Sequence, residues 1–157
     1  MGETFTTEIQ ARYRDINLAG HVDNVEAMRV LDESRLEFYL FAPLPGLPEG
    51  LTGLLALADD GVTDLVATQT VTYRAEMRFA PHQHFRARLW VSRIGSSSFT
   101  IAGELRVEEG GEPAVLWECV SVLWDHSAQR AWSINDDTRA LLERYLTERN
   151  SDQNNLK

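Results

Sequence analysis

One helical stretch lies between a single strand-like run and about five more, and this order limits the fold more than any other feature of the chain. Residues 5–14 alternate with a period of two. Phe5, Thr7, Ile9, Ala11 and Tyr13 share one face, and Thr6, Glu8, Gln10, Arg12 and Arg14 the other. That is the pattern of a half-buried strand. A polar loop, 15–23, follows. Ala27, Val30, Leu31, Ser34 and Phe38 then recur at helical spacing. Asp23 or Asn24 can cap that helix by accepting from its orphan backbone N–H groups. Glu26 sets a carboxylate at the positive end of its dipole. Pro43 ends it, because proline disfavours helical geometry in the residue before it.

Beyond the proline-rich loop, residues 54–58 read equally as a turn of helix or as a strand. Period-two runs then return. Within 66–79, Val71, Tyr73, Ala75, Met77 and Phe79 share a face. In the next run Phe85, Ala87, Leu89 and Val91 oppose Arg86, Arg88 and Trp90. Phe99, Ile101, Leu105 and Val107 share a face in the third. Residues 108–112 are an acidic hairpin turn. Residues 115–124 are apolar on both faces, which predicts a central, covered strand. A short strand at 131–134 and a helix capped by Asn135 or Asp136, running to about 149, complete the pattern. The fold class is α+β: one antiparallel sheet with a helix laid across it. Residues 1–150 form one domain, and 151–157 read as a frayed tail.

Composition sets the outer bounds. A chain of 157 residues suits one domain with a real core. With 43% hydrophobic and 25% charged residues it does not resemble a disordered or fibrous protein. The longest uncharged stretch, 38–48, contains three prolines and a glycine, so no membrane span is expected. The first ten residues carry no basic cluster and no apolar run, which points to a cytoplasmic protein without a signal peptide. The lone Cys119 excludes an internal disulfide and a Cys-rich zinc site, and no metal or cofactor is expected. A net charge of −9 argues against a nucleic-acid partner. Yet residues 66–103 hold five arginines and one acid, a local +4 on a remainder of −13. A basic patch of that size suits a small anion, or is simply an arginine-bearing sheet face.

The loop before the helix holds most of the chemistry. Asp15, Asn17, His21 and Asn24 fall within ten residues, between a strand and a helix N-terminus. Free N–H groups at such an end can bind an anion or an oxyanion. The structural alternative is that Asp15 and Asn17 form turns while Asp23 and Asn24 cap the helix.

The run Arg12-Tyr13-Arg14-Asp15-Ile16-Asn17-Leu18-Ala19-Gly20-His21-Val22-Asp23-Asn24 resembles the hallmark of the hotdog-fold acyl-CoA thioesterases of the 4-hydroxybenzoyl-CoA thioesterase-like group. That hallmark reads roughly R-[YF]-x-D-x-D-x-x-G-H-V-N-N, followed by a helix with E-x-x-R-x-x-[FY]. Asp32, Arg35 and Phe38 fit the helical part, with Asp in place of Glu. Residues 73–79 and 93–99 resemble the group's paired central strands. The likeness spans about residues 4–134.

The resemblance implies a long helix wrapped by a curved antiparallel sheet of five to six strands, with a C-terminal helix added. It implies a homodimer, or a dimer of dimers, with active sites at the subunit interface. The substrate would be an acyl-CoA or acyl-carrier thioester, and the reaction hydrolysis to acid and thiol. The helix N-terminus would polarise the thioester carbonyl through the backbone N–H of Asn24 or Val25.

Two residues depart from the pattern. The group's catalytic aspartate aligns with Asn17, whose amide is neither a nucleophile nor a useful base. Asn17 can still hydrogen-bond water or the thioester oxygen. His21 is then the first candidate for the base, since its unperturbed pKa lies near physiological pH. Asp15 is the second. Glu76, from this chain or a second copy, is the third, with an ion pair to Arg74 or Arg78 as its structural alternative. Asp23 replaces the usual Asn and brings negative charge near an oxyanion unless it turns to the backbone. Arg86, Arg88 and Arg93 are the expected contacts of the CoA phosphates, since arginine suits phosphate geometry, and Ser97 joins the substrate-binding set. Two other readings stay open: a non-catalytic acyl-thioester binder that lost its carboxylate, and a hydratase or dehydratase pairing Asp15 with His21.

Overall fold

The computed structural model describes residues 2–78, 83–107 and 111–147. Six strands and two helices follow one another: β1 (Phe5–Gln10), α1 (Asn24–Leu36), β2 (Val62–Tyr73), β3 (His84–Ile94), β4 (Ser98–Arg106), β5 (Val115–Asp125), β6 (Arg130–Ala131) and α2 (Asp136–Arg144). The sheet is antiparallel, in the order β1-β3-β4-β5-β2, with β6 paired to the end of β5. It curls around α1 as the half-barrel of a hotdog fold.

The helix was the most legible element. Ala27, Val30, Leu31, Ser34 and Phe38 are all buried, as their spacing requires. Past Leu36 the chain widens into one π-helical turn, Glu37–Phe41. Its carbonyls are taken by the loop ahead: the Leu54 N–H donates to Phe38 at 3.0 Å and the Leu55 N–H to Tyr39 at 3.1 Å. Residues 54–58 are therefore neither helix nor strand but the turn that closes the end of α1. Gly53 makes that closure possible. Its φ is +82°, and a Cβ there would overlap the Tyr39 carbonyl.

The inward faces of β3 and β4 match their alternation. Phe85, Ala87, Leu89, Val91, Phe99, Ile101 and Leu105 are essentially inaccessible. They pack beneath Phe38, which stacks on Phe5 with centroids 4.7 Å apart and meets the edge of Tyr145 at 5.0 Å. Arg35 is also buried, ion-paired to Asp32 at 2.9 Å and to Asp64 of β2, with its guanidinium over the Tyr39 ring. Burial pushes the Tyr39 hydroxyl pKa up, against the opposing effect of its hydrogen bond with Ser121.

Several boundaries differ from the expectation. β1 stops at Gln10, because Arg12 and Asp15 close a 3₁₀ turn that leaves Tyr13 exposed. β5 is central, but only one of its faces is fully buried. Val115, Trp117, Cys119, Ser121 and Leu123 point to the core, while Leu116, Glu118, Val120, Val122 and Trp124 are half-buried on the outer face. β2 ends at Tyr73, short of Phe79, so residues 74–78 cross the end of the sheet. β6 spans two residues only, and α2 ends at Arg144, five residues early. Past it, the Thr147 N–H donates to the Val91 carbonyl, and the Val91 N–H to the Tyr145 carbonyl, both at 2.9 Å. Phe79, most of the acidic turn, the boundary at 150 and the tail fall outside the described residues. Among the described residues no helix is long and apolar enough to cross a membrane.

Candidate active site

The loop between β1 and α1 is a small hairpin. Ile16 pairs with Val22, and the Asn17 N–H donates to the His21 carbonyl at 2.8 Å. Gly20 turns its tip at φ +78°, donating its N–H to the Asn17 carbonyl at 3.0 Å. The Asn17 side chain completes the turn. Its Oδ1 accepts from the N–H of Ala19 at 2.9 Å and of His21 at 3.3 Å. Only the Nδ2 group is left to meet a ligand, as a donor.

A second segment zips onto this hairpin. The Val22 N–H donates to the Met77 carbonyl at 2.7 Å, and His21 bridges Arg78. Residues 73–77 thereby face the N-terminus of α1 across a cleft of about 400 Å³. Asn17, His21, Asn24, Arg74 and Glu76 line it, over an apolar floor that includes Ala27 and Met77. The Tyr73 hydroxyl donates to the Asn24 carbonyl at 3.0 Å. Tyr73 and Arg74 were absent from the expected site, because their period-two pattern reads as continuing strand. The departure of the chain from the sheet at Arg74 has no local sequence signal.

Asp15 is not in the cleft. It is fully buried beneath the loop and accepts from the Arg12 N–H at 2.9 Å and from the Arg12 guanidinium at 2.9 Å, with Arg29 at 3.5 Å. Burial works to raise its pKa, but the hydrogen bonds from Arg12 and the charges of Arg12 and Arg29 outweigh it and hold the carboxyl below the usual range. Its carbonyl also accepts the Asp23 N–H at 2.8 Å. Asp15 thus braces the loop from beneath, away from the cleft, and makes no contact with His21.

The helix N-terminus follows one of the two arrangements expected for it, with Asp23 and not Asn24 as the cap. Asp23 caps α1 by accepting the Val25 N–H at 2.9 Å, so that N–H is taken. The Asn24 N–H has no hydrogen-bond partner among the described residues. The carboxylate of Asp23 is turned to the backbone, as the reading of this position required. Glu76 lies 3.4 Å from the His21 Nε2 and pairs with neither Arg74 nor Arg78.

The arginines are dispersed. Arg86 pairs with Glu8 at 3.3 Å, and Arg88 lies over the Trp90 ring at 5.5 Å. Arg93, near the end of β3, and Ser97, in the turn after it, stand toward the end of the sheet away from Tyr73, whose register partners run through Val115 and Leu105 to Ala87. None of these four lines the cleft; Arg74 does. Among the described residues no group of three metal-ligating side chains converges.

A family model described as the thioesterase-like superfamily matches residues 11–142. This chain belongs to that superfamily. Solved structures repeat the fold. A predicted thioesterase from Bacillus stearothermophilus is 24% identical, with a TM-score of 0.72 over 94% of this chain and 99% of that one. The Staphylococcus aureus protein SAV2348, solved in complex with CoA, is 13% identical, with a TM-score of 0.71 over 92% of this chain and 85% of that one. The 12:0-ACP thioesterase from Umbellularia californica is 14% identical, with a TM-score of 0.71 over 98% of this chain and 59% of that one. No curated protein matches the sequence. Membership of the superfamily supports thioester hydrolysis as the general class of reaction.

Proposed function

We propose that this protein hydrolyses an acyl thioester, of CoA or an acyl carrier, with His21 as the base that activates water. The observation that carries this reading is that His21 and Asn24, whose N–H has no hydrogen-bond partner among the described residues, line one cleft. A thioester carbonyl placed at the N-terminus of α1 accepts from that N–H and gains from the helix dipole. Water held beside it gives a proton to His21 as its oxygen bonds to the carbonyl carbon. The tetrahedral oxyanion then collapses, the C–S bond breaks, and the imidazolium returns the proton to the leaving thiolate. Asn17 contributes through its Nδ2 donor, to the water or to the carbonyl. Arg74 is the cleft's contact for an anionic group of the thiol portion.

Self-association and a cytoplasmic setting belong to the same reading. β2 is a twelve-residue edge strand, with Leu65 47%, Val66 39% and Tyr73 48% exposed. A long edge of this kind is a template for pairing with a second copy. Because the cleft wall begins where β2 ends, pairing along it would also wall the cleft.

The test is thiol release from short, long, branched and aromatic acyl-CoAs. His21→Ala should lower kcat by ~10²–10⁴-fold, the scale of a positioned base. A non-catalytic binder is the second reading, favoured by the engagement of Asn17 Oδ1 in its own turn. It predicts no cleavage by wild type, with activity appearing in Asn17→Asp.

A further inference from the structure

Resting on the assignment of His21 as base, we infer that Glu76 is the positioning carboxylate of that histidine, supplied from the facing segment and not from the loop. Four acidic side chains surround the loop and the start of α1, and three are engaged elsewhere. Asp15 is held by Arg12 and Arg29. Asp23 caps the helix through the Val25 N–H. Glu26 accepts from the Arg29 Nε at 2.8 Å. Glu76 has an arginine two residues away on either side, yet its carboxylate lies against the imidazole at 3.4 Å. The backbone contacts His21 to Arg78 and Val22 to Met77 fix this meeting, because they set the register of the two segments.

The chemistry follows from which nitrogen is approached. A carboxylate at Nε2 favours the tautomer with the proton there. Nδ1 is then the basic nitrogen, and it has no hydrogen-bond partner among the described residues. When the ring takes a proton from water, the adjacent carboxylate stabilises the imidazolium. At 3.4 Å, with Glu76 70% exposed, the contact is loose. Such contacts tighten when a bound substrate displaces water.

Glu76→Gln should lower kcat by ~10- to 100-fold with KM held within about twofold, a smaller loss than removal of the base itself. Formate should restore Glu76→Ala in a saturable manner and should not restore His21→Ala. An unchanged kcat in Glu76→Gln overturns the inference, as does a loss that formate leaves unrelieved. A second measurement needs no activity. The ring nitrogen-15 resonances of His21 in the intact chain, assigned by their loss in His21→Ala, should move in Glu76→Gln while those of His126 stay fixed. Unmoved His21 resonances overturn the pairing whatever the kinetics. If wild type cleaves no thioester and the His21 resonances still respond, the hydrolase reading fails and the pairing stands.

Discussion

At the scale of single residues, type and role separate. Asp15 and Asn17 lie two apart in the same loop, and the sequence offers Asp15 as the chemically capable one. Burial decides otherwise, since its carboxylate is consumed by Arg12 and Arg29. Asp15→Asn should therefore cost stability, by about 1–3 kcal/mol at neutral pH, as a buried charge-assisted network loses its acceptor. The sign with pH follows from its lowered native pKa. The stabilisation is full above the unfolded value near ~4 and is lost as pH falls through the native one. Chemical denaturation at pH 7 and below pH 4 should show the wild-type advantage shrink. Asn17 behaves differently, because its oxygen holds two backbone N–H groups. Asn17→Asp keeps both acceptors and should leave the melting temperature nearly unchanged, whereas Asn17→Ala should cost about 1 kcal/mol.

At the scale of elements, α1 does two jobs with opposite demands. Its buried stripe anchors the core, and Leu31→Ala should cost ~2–5 kcal/mol in urea denaturation, as a large side chain leaves a cavity in a closed core. In the proposed reaction its N-terminus must instead stay open to a ligand. Asp23 caps it with a full negative charge, which the dipole favours and a developing oxyanion does not. Asparagine caps equally well without the charge. Asp23→Asn should therefore hold stability within about 0.5 kcal/mol and raise kcat by no more than about twofold, because the carboxylate is turned to the Val25 N–H. A fall in kcat in that variant would place the oxyanion away from Asn24.

At the scale of the whole molecule, the sheet has one long unpartnered edge among the described residues. β2 is exposed on both faces along much of its length, and it ends where the cleft begins. Leu65→Lys with Val66→Lys should convert a self-associated protein to monomers in sedimentation velocity, since charge on an edge blocks pairing. Thiol release should fall with it, because the open wall of the cleft is then left to solvent. A wild type that sediments as a monomer with full activity would remove the edge from the account.

The sequence by itself determined the elements whose pattern is periodic: the helix with its five buried positions, the inward faces of β3 and β4, and the loop that carries His21. Those follow from local spacing, because one face of each must leave water. Tertiary structure decided where the periodicity is silent or shared. Continued alternation through residues 74–78 hides the point where the chain leaves the sheet, so the contact of Glu76 with His21, 55 residues apart, is invisible along the chain. The apolar outer face of β5 reads as a covered strand, although within the chain it is only half-buried. Asp15 and Val25 look like chemical groups until burial and capping assign their polar atoms elsewhere. In each case a polar group's role is set by which partner satisfies it, and that partner is chosen by the fold and not by the neighbouring sequence.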